Sequence, residues 1–324
     1  MEGQVSSNPP DRTWLVAVAA ALWGTDGLLR LPLAEALPAA TVVFWEHLLV
    51  VLVLSPFIPR AFRALSRCGP REWLAVLAIG GGSSALATAM FTAAFKLGDP
   101  VTPLVLQKLQ PVFAVLAAYF VLRERVRPGY AFFAIPALLG AWLLAFKDPL
   151  NIQLAAAKAA LLAIGAAALW AAGTVLGRLL STELEPREVT TLRFTVGLPV
   201  AAGIVAFQGG QFAVGWDNAL GLGLLALVPG LLALSLYYLG LRSTPAARAT
   251  LAELAFPVTA AIIGVLCLNA DLSGTQWLGL AVVVVSVTSL GWHEKVRRQP
   301  MVLEPPHGRA HRRDEERTPD PQRQ

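Results

Sequence analysis

The chain has 324 residues, 56% of them hydrophobic and 15% charged, with mean hydropathy +0.59 and formal net charge +5. Soluble domains carry roughly 25% charged residues, so this composition excludes an ordinary soluble enzyme and, over most of the length, disorder. The basic residues sit mainly in short connections and the C-terminal tail, where they set membrane orientation, so the positive balance does not point to nucleic acid.

Taken in chain order, Met1–Asp11 is polar and lacks a basic n-region, so no cleaved signal is expected. Ten apolar blocks follow, at 13–30, 40–58, 73–96, 101–122, 129–146, 155–178, 188–207, 219–241, 247–268 and 275–292. Crossing a hydrocarbon core takes about 20 residues of helix, and β-barrel strands would alternate over about 10 residues. The breaks carry turn chemistry: Ser55-Pro56 through Pro59, Gly98-Asp99-Pro100, Lys147-Asp148-Pro149 and Gln208-Gly209-Gly210. The expected fold is an all-α polytopic membrane protein with ten transmembrane helices. Cys68 and Cys267 are too few and too far apart for a disulfide framework or metal knuckle.

Ten helices put both termini on one side. That side then holds twenty of the 26 lysines and arginines and the other side four, while Lys108 and Arg193 fall within spans. The positive-inside rule makes the richer side cytoplasmic. After Trp292 the chain turns rich in Arg, Glu, Pro and Gln, which predicts a disordered tail. The expected organisation is a cytoplasmic N-tail (1–12), a first five-helix unit (13–146), an external linker (147–154), a second five-helix unit (155–292) and a cytoplasmic C-tail (293–324).

A shift of 146–147 residues brings the two units into register. Ala21-Leu22-Trp23 falls on Ala168-Leu169-Trp170, Phe91–Pro111 falls on Tyr237–Pro257 without a gap, and Glu124 falls on Asp271. Five helices is an odd number, so a duplicated unit inserts its two copies in opposite orientations. Inverted repeats of this kind place a transporter's substrate site at the midplane.

Leu106–Phe113 followed by Leu122-Arg123-Glu124-Arg125, Leu251–Val258 followed by Asp271-Leu272-Ser273 and Trp277-Leu278-Gly279, and Ala21–Gly24 in the first helix occur in that order. Over residues 13–292 the sequence resembles the EamA-type branch of the drug/metabolite transporter superfamily. The resemblance implies two inverted five-helix repeats and a central cavity lined mainly by helices 1, 3, 4, 6, 8 and 9. It also implies movement, often export, of amino acids, other small metabolites or drugs. The family commonly carries an Arg in helices 2 and 7. Arg193 matches the second, whereas Glu46 stands at the first, and Asp271 replaces the usual Glu.

A charge at the centre of a membrane helix costs about 2.5–3.5 kcal/mol on insertion scales, so charged residues within spans are candidate site residues. Lys108, with Gln107 and Gln110 beside it, lies one turn before Pro111, and Glu253 lies one turn before Pro257. Each proline is expected to kink its helix and free a carbonyl upstream. Lys108 and Glu253 could receive the two charges of a zwitterion, or pair with each other. Asp26 is a candidate proton carrier or a helix-end residue near Arg30. Glu46 and Arg193, equivalent in the repeat and opposite in charge, are candidates for a gating pair, or each is neutralised locally. Trp23 and Trp170 are candidates to wall the cavity or to anchor at the interface. Arg30 and Lys96 are expected to snorkel, His47 carries little signal, and the glycines of Gly80–Gly82 suit close packing or flexing.

The expected function is secondary transport of a small polar or amphipathic metabolite, an amino acid or drug-like compound, by alternating access, most simply as an exporter. An importer and a non-transporting membrane scaffold or sensor are the alternatives. The sequence has no phosphate loop, no His-Glu-x-x-His and no Gly-x-Ser-x-Gly, so no catalytic residue, metal or cofactor is expected. The expected partners are a small-molecule substrate and the bilayer, with proton coupling and a homodimer as further expectations. The Ala-, Gly- and Arg-rich composition suggests a bacterial inner membrane.

Overall fold

The computed structural model describes residues 12–94, 97, 106–145, 156–268, 273–297 and 302–303. The helices in chain order are α1 (Thr13–Gly24), α2 (Asp26–Ala36), α3 (Ala39–Leu54), α4 (Ile58–Leu65), α5 (Pro70–Leu77), α6 (Ala87–Ala94), α7 (Gln110–Val121) and α8 (Tyr130–Ala145). They continue as α9 (Ala156–Leu180), α10 (Pro186–Phe207), α11 (Ala219–Leu225), α12 (Ala233–Leu241), α13 (Ala246–Ala252), α14 (Ala255–Leu268) and α15 (Gly274–Arg297). Among the described residues six stretches are long and apolar enough to cross a membrane: Thr13–Ala36, Ala39–Leu65, Pro70–Ala94, Leu161–Leu180, Pro186–Phe207 and Trp216–Leu241. Shorter apolar helices run over Val112–Val121, Tyr130–Gly140, Val258–Cys267 and Gly274–Ser286. Apart from one two-residue strand pair the described residues form a helical, multi-pass membrane protein, as such blocks require: helices satisfy their own backbone groups where no water can.

Several boundaries differ from the sequence expectation. The prolines at 56 and 59 do not end the second stretch. A 3₁₀ turn over Ser55–Phe57 leads into α4, and each proline lies in the first turn of its segment, where no N–H is needed. The first stretch bends at Thr25, whose hydroxyl donates to the Leu22 carbonyl at 2.7 Å, before continuing as α2. The regular helices are interrupted one turn before Pro111 and Pro257, where the sequence placed kinks. A 3₁₀ turn over Gln107–Leu109 precedes α7, and a turn at Glu253-Leu254 separates α13 from α14. Each proline thus falls in the first turn of a new helix. The Gln208–Gly210 break holds, with Gly209 in the left-handed region at φ +62°.

Two π-helical segments interrupt the regular helices. Ala78–Leu86 joins α5 to α6, and Ala226–Leu232 joins α11 to α12. They fall at corresponding places under the repeat offset, as do the breaks at 107–109 and 253–254.

α1 packs against α12 and α14, α9 against α6 and α7, α10 against α3 and the Ala78–Leu86 segment, and α8 against α15. The core includes Val16, Ala19, Ile79, Leu192 and Tyr238. Close approach depends on small residues: a Cβ at Gly24 would lie 2.6 Å from Thr259 Cβ and 3.0 Å from the Phe256 carbonyl.

Connections expected on one side of the membrane meet one another. Arg60 pairs with Glu185 at 3.2 Å, Arg71 donates to the Val121 carbonyl at 2.9 Å, and Arg178 donates to the Leu241 carbonyl at 3.1 Å and to that of Arg242. At the opposite ends of the helices, Thr41 donates to the Gln211 carbonyl at 2.8 Å and Trp45 to that of Phe212 at 2.7 Å.

The tail departs from the expectation of disorder where it is described. α15 continues to Arg297, and Val302–Leu303 (β2) pairs antiparallel with Arg125–Val126 (β1). That pairing follows Arg123, which adopts φ 59° and turns the chain after α7.

Candidate functional site

A cavity of about 1090 Å³, counting its mouth, lies between the two halves of the chain. Trp23, Asp26, Glu46, Gln107, Gln110, Trp170, Arg193 and Glu253, all singled out from the sequence, line it. The side chains of Lys108, Pro111 and Pro257 lie outside the described residues.

One wall holds an ion cluster on α2 and α3. Arg30 forks onto Asp26, with Nε to Oδ2 at 2.6 Å and Nη2 to Oδ1 at 2.8 Å, and Nη2 also reaches Glu46 Oε2 at 3.1 Å. Its Nη1 donates to Thr92 Oγ1 at 3.3 Å. The side chain is only 5% exposed, so Arg30 does not snorkel. The bidentate, charge-assisted geometry is the strong kind, and it suits a cation held away from bulk water. The expectation that Glu46 pairs with Arg193 is therefore corrected: the partner of Glu46 is Arg30. The bend at Thr25 starts a new helix at Asp26, four residues before Arg30, so both side chains share one face.

Arg193 lies on α10 among neutral acceptors. Its Nε donates to Ser84 Oγ at 3.2 Å, Nη1 to the Tyr238 hydroxyl at 3.2 Å, and Nη2 to the Ser83 carbonyl at 3.4 Å. Ser84 Oγ also meets His47 Nε2 at 2.9 Å, and His47 Nδ1 meets the Val43 carbonyl at 2.8 Å. The carbonyl can only accept, so Nδ1 carries the proton and Nε2 accepts from Ser84, an assignment made from the network. The hydroxyl is tied at both ends, and the arrangement acts as a fixed chain that orients the guanidinium.

The opposite wall is built around Glu253, at the turn between α13 and α14. Gln110 Nε2 lies 2.5 Å from Oε2, while Oε1 accepts from the Tyr237 hydroxyl at 2.8 Å and from Thr174 Oγ1 at 3.4 Å. The break in the helix exposes this carboxylate between α7, α9 and α12. Gln107 lines the cavity with a buried Oε1 that has no hydrogen-bond partner among the described residues.

Aromatic rings cross between the halves in matched fashion. Trp23 packs on Tyr237 with centroids 5.1 Å apart, and Trp170 packs on Phe91 at 4.9 Å. Trp23 is equivalent to Trp170 and Phe91 to Tyr237, so each half's tryptophan meets the other half's aromatic. Trp23 Nε1 also donates at 2.9 Å to the carbonyl of Pro229, inside the second π segment.

Sequence reasoning missed Arg30, His47, Ser83, Ser84, Thr174 and Tyr237. Two signals were available: Asp26 and Arg30 at i, i+4 spacing, and the polar Ser83-Ser84 pair inside an apolar stretch. The site offers guanidinium donors, one carboxylate at a helix break and stacked rings, a set suited to holding a polar or amphipathic small molecule.

Comparison with known proteins agrees with that geometry. The chain is 31% identical over 288 residues to the riboflavin transporter ImpX of Fusobacterium nucleatum, covering 85% of this chain and 96% of that protein. It is 28% identical over 280 residues to the uncharacterized transporter YwfM of Bacillus subtilis, covering 84% and 90%. A third relative, the uncharacterized inner membrane transporter YicL of Salmonella typhimurium, is 24% identical over 283 residues, covering 84% and 92%. One crystal structure superposes with a TM-score of 0.67 at 21% sequence identity, over 86% of this chain and 96% of the other, a likeness of fold alone. Residues 13–146 and 157–292 each match the EamA-like transporter family. Two matched units over nearly all of the apolar chain, together with relatives named as transporters rather than enzymes, identify this protein as a member of the EamA-like transporter family.

Proposed function

We propose that the protein is a secondary transporter that moves a small polar or amphipathic metabolite by alternating access through the cavity between its halves. The observation that carries this reading is the cavity itself: both halves contribute charged groups and crossed aromatic pairs to one space. In the same reading the chain crosses the membrane ten times as two inverted five-helix repeats, with both termini cytoplasmic. The matched π segments and helix breaks support the repeat, and the basic asymmetry supports the orientation. Export across a bacterial inner membrane is the direction and place favoured.

The aromatic wall and the relative named as a riboflavin transporter support a second reading, in which the solute is a planar aromatic heterocycle and enters the cell. Purified protein in liposomes distinguishes the two. Amino acids, drug-like cations and riboflavin are offered singly from either face, and entry is measured against empty liposomes. Saturable movement of at least one solute is expected. Failure of a broad metabolite panel in both directions overturns the transporter reading.

A further inference from the structure

The two guanidinium groups of the cavity, Arg30 buried and Arg193 half-buried, are treated differently. Arg30 is bonded to two carboxylates. Arg193 touches three neutral oxygens, and among the described residues no carboxylate oxygen lies within 4.0 Å of it. Glu46 attracts it through space, but that carboxylate is bonded to Arg30. A guanidinium has five N–H donors, and three are spent on Ser84, Tyr238 and the Ser83 carbonyl. One N–H on each terminal nitrogen is left. Arg193 lines the cavity, whereas the Ser83 hydroxyl is buried against Gly173. Leaving a buried donor unmade is costly, and a cation in low dielectric gains from a counter-charge. The His47–Ser84 chain holds the guanidinium side-on without neutralising it.

Resting on the transporter reading, we propose that Arg193 forms the anion subsite of the cavity, so that the solute carries a carboxylate or a phosphate. A two-oxygen anion matches two N–H donors from neighbouring nitrogens. The aromatic lining then takes the apolar part of the molecule.

Equilibrium dialysis of the purified full chain tests this with two matched pairs: 3-phenylpropionate against 3-phenylpropylamine, and riboflavin 5′-phosphate against riboflavin. In at least one pair the anion should bind about tenfold or more tightly than its partner, the size of a charge-assisted hydrogen bond. A preference confined to one pair identifies the anion as carboxylate or phosphate. Arg193→Gln should abolish the preference and leave the partner's affinity within about threefold, while Arg193→Lys should keep part of it. If Arg193→Gln does not fold, Arg193→Lys must reduce the preference at least about twofold, because a lysine keeps the charge and loses the fork. Equal binding within both pairs, no binding of any of the four, or a preference that survives undiminished in Arg193→Gln or, failing that variant, in Arg193→Lys overturns the subsite. The transporter reading fails separately, through the liposome panel, and a protein that moves only neutral or cationic solutes would keep that reading and lose this one.

Discussion

His47 and Phe194 occupy equivalent places in the two halves of the chain and meet edge to face, their ring centroids 5.1 Å apart. Under the proposed two-fold relation, equivalents touch only where the axis passes, so the centre of the molecule lies beside α3 and α10. Gly197 makes the contact possible: a Cβ there would lie 2.8 Å from His47 Cδ2 and 2.9 Å from the Gly80 carbonyl. Gly197→Ala should therefore destabilise the protein by about 1–3 kcal/mol, as overpacking does. Gly203→Ala on the same helix, where a Cβ meets nothing within 4 Å, should be neutral or slightly stabilising. Thermal unfolding in detergent checks the contrast.

Trp23 ties the first half to the second through its indole N–H and its ring. Trp23→Phe keeps a ring and loses the donor, so about 0.5–1.5 kcal/mol should be lost. Trp23→Ala should cost more, about 3–5 kcal/mol, as large aromatic truncations do. Equal unfolding temperatures for Trp23→Phe and the wild type would remove the hydrogen bond from the account.

The partner of Glu46 can be identified by double-mutant cycles. Breaking a buried pair costs about 3–5 kcal/mol when one charge is left uncompensated. Arg30→Gln and Glu46→Gln should each be destabilising, and together markedly less than additive. Glu46→Gln combined with Arg193→Gln should lie closer to additivity, within about 0.5–1 kcal/mol. Stronger coupling to Arg193 than to Arg30 would reverse the assignment.

Glu253 accepts from Gln110, Tyr237 and Thr174, so the carboxylate and its fold can be separated. Glu253→Gln should hold much of the packing and abolish transport in liposomes. Tyr237→Phe should lower the unfolding temperature through a lost hydrogen bond to a charge, about 1.5–3 kcal/mol, with transport reduced rather than lost. Lys108→Ala should also abolish transport at matched protein abundance. Normal transport by Glu253→Gln and Lys108→Ala would take both residues out of the translocation route.

Orientation is open to a direct measurement. With Cys68 and Cys267 replaced, a cysteine at Arg63 should be shielded from an impermeant thiol reagent in intact cells, and a cysteine at Gln153 labelled. Equal external labelling at both positions contradicts cytoplasmic termini.

The apolar blocks were legible because a span must be apolar on every face, and the charged residues within them were legible as cavity residues for the same reason. Partnership was not. The offset that aligns Glu46 with Arg193 suggested that equivalents face each other, yet the equivalents that touch are their chain neighbours, His47 and Phe194. The reach of Arg30 to Glu46 runs from α2 to α3, and no spacing along the sequence announces a contact between two helices. The turns before Pro111 and Pro257 read as kinks because both prolines sit inside apolar runs, whereas first-turn prolines satisfy the same pattern at lower cost. The π segments had no common signature: one is Gly- and Ser-rich, the other carries Pro229.

Those π segments make chain length itself a structural variable. A wider turn accommodates an added residue without breaking the helix, and one residue corresponds to about 100° of rotation and about 1.5 Å of rise. Deleting a single residue from Ala78–Leu86 would let the segment relax to an ordinary helix and swing α6 by about that angle, turning Phe91 from Trp170 and Thr92 from Arg30. The matching deletion in Ala226–Leu232 would turn Tyr237 from Trp23. No substitution does this, since every side chain would survive and only its bearing would change. The aim of both aromatic pairs across the cavity thus depends on the number of residues in the two π segments.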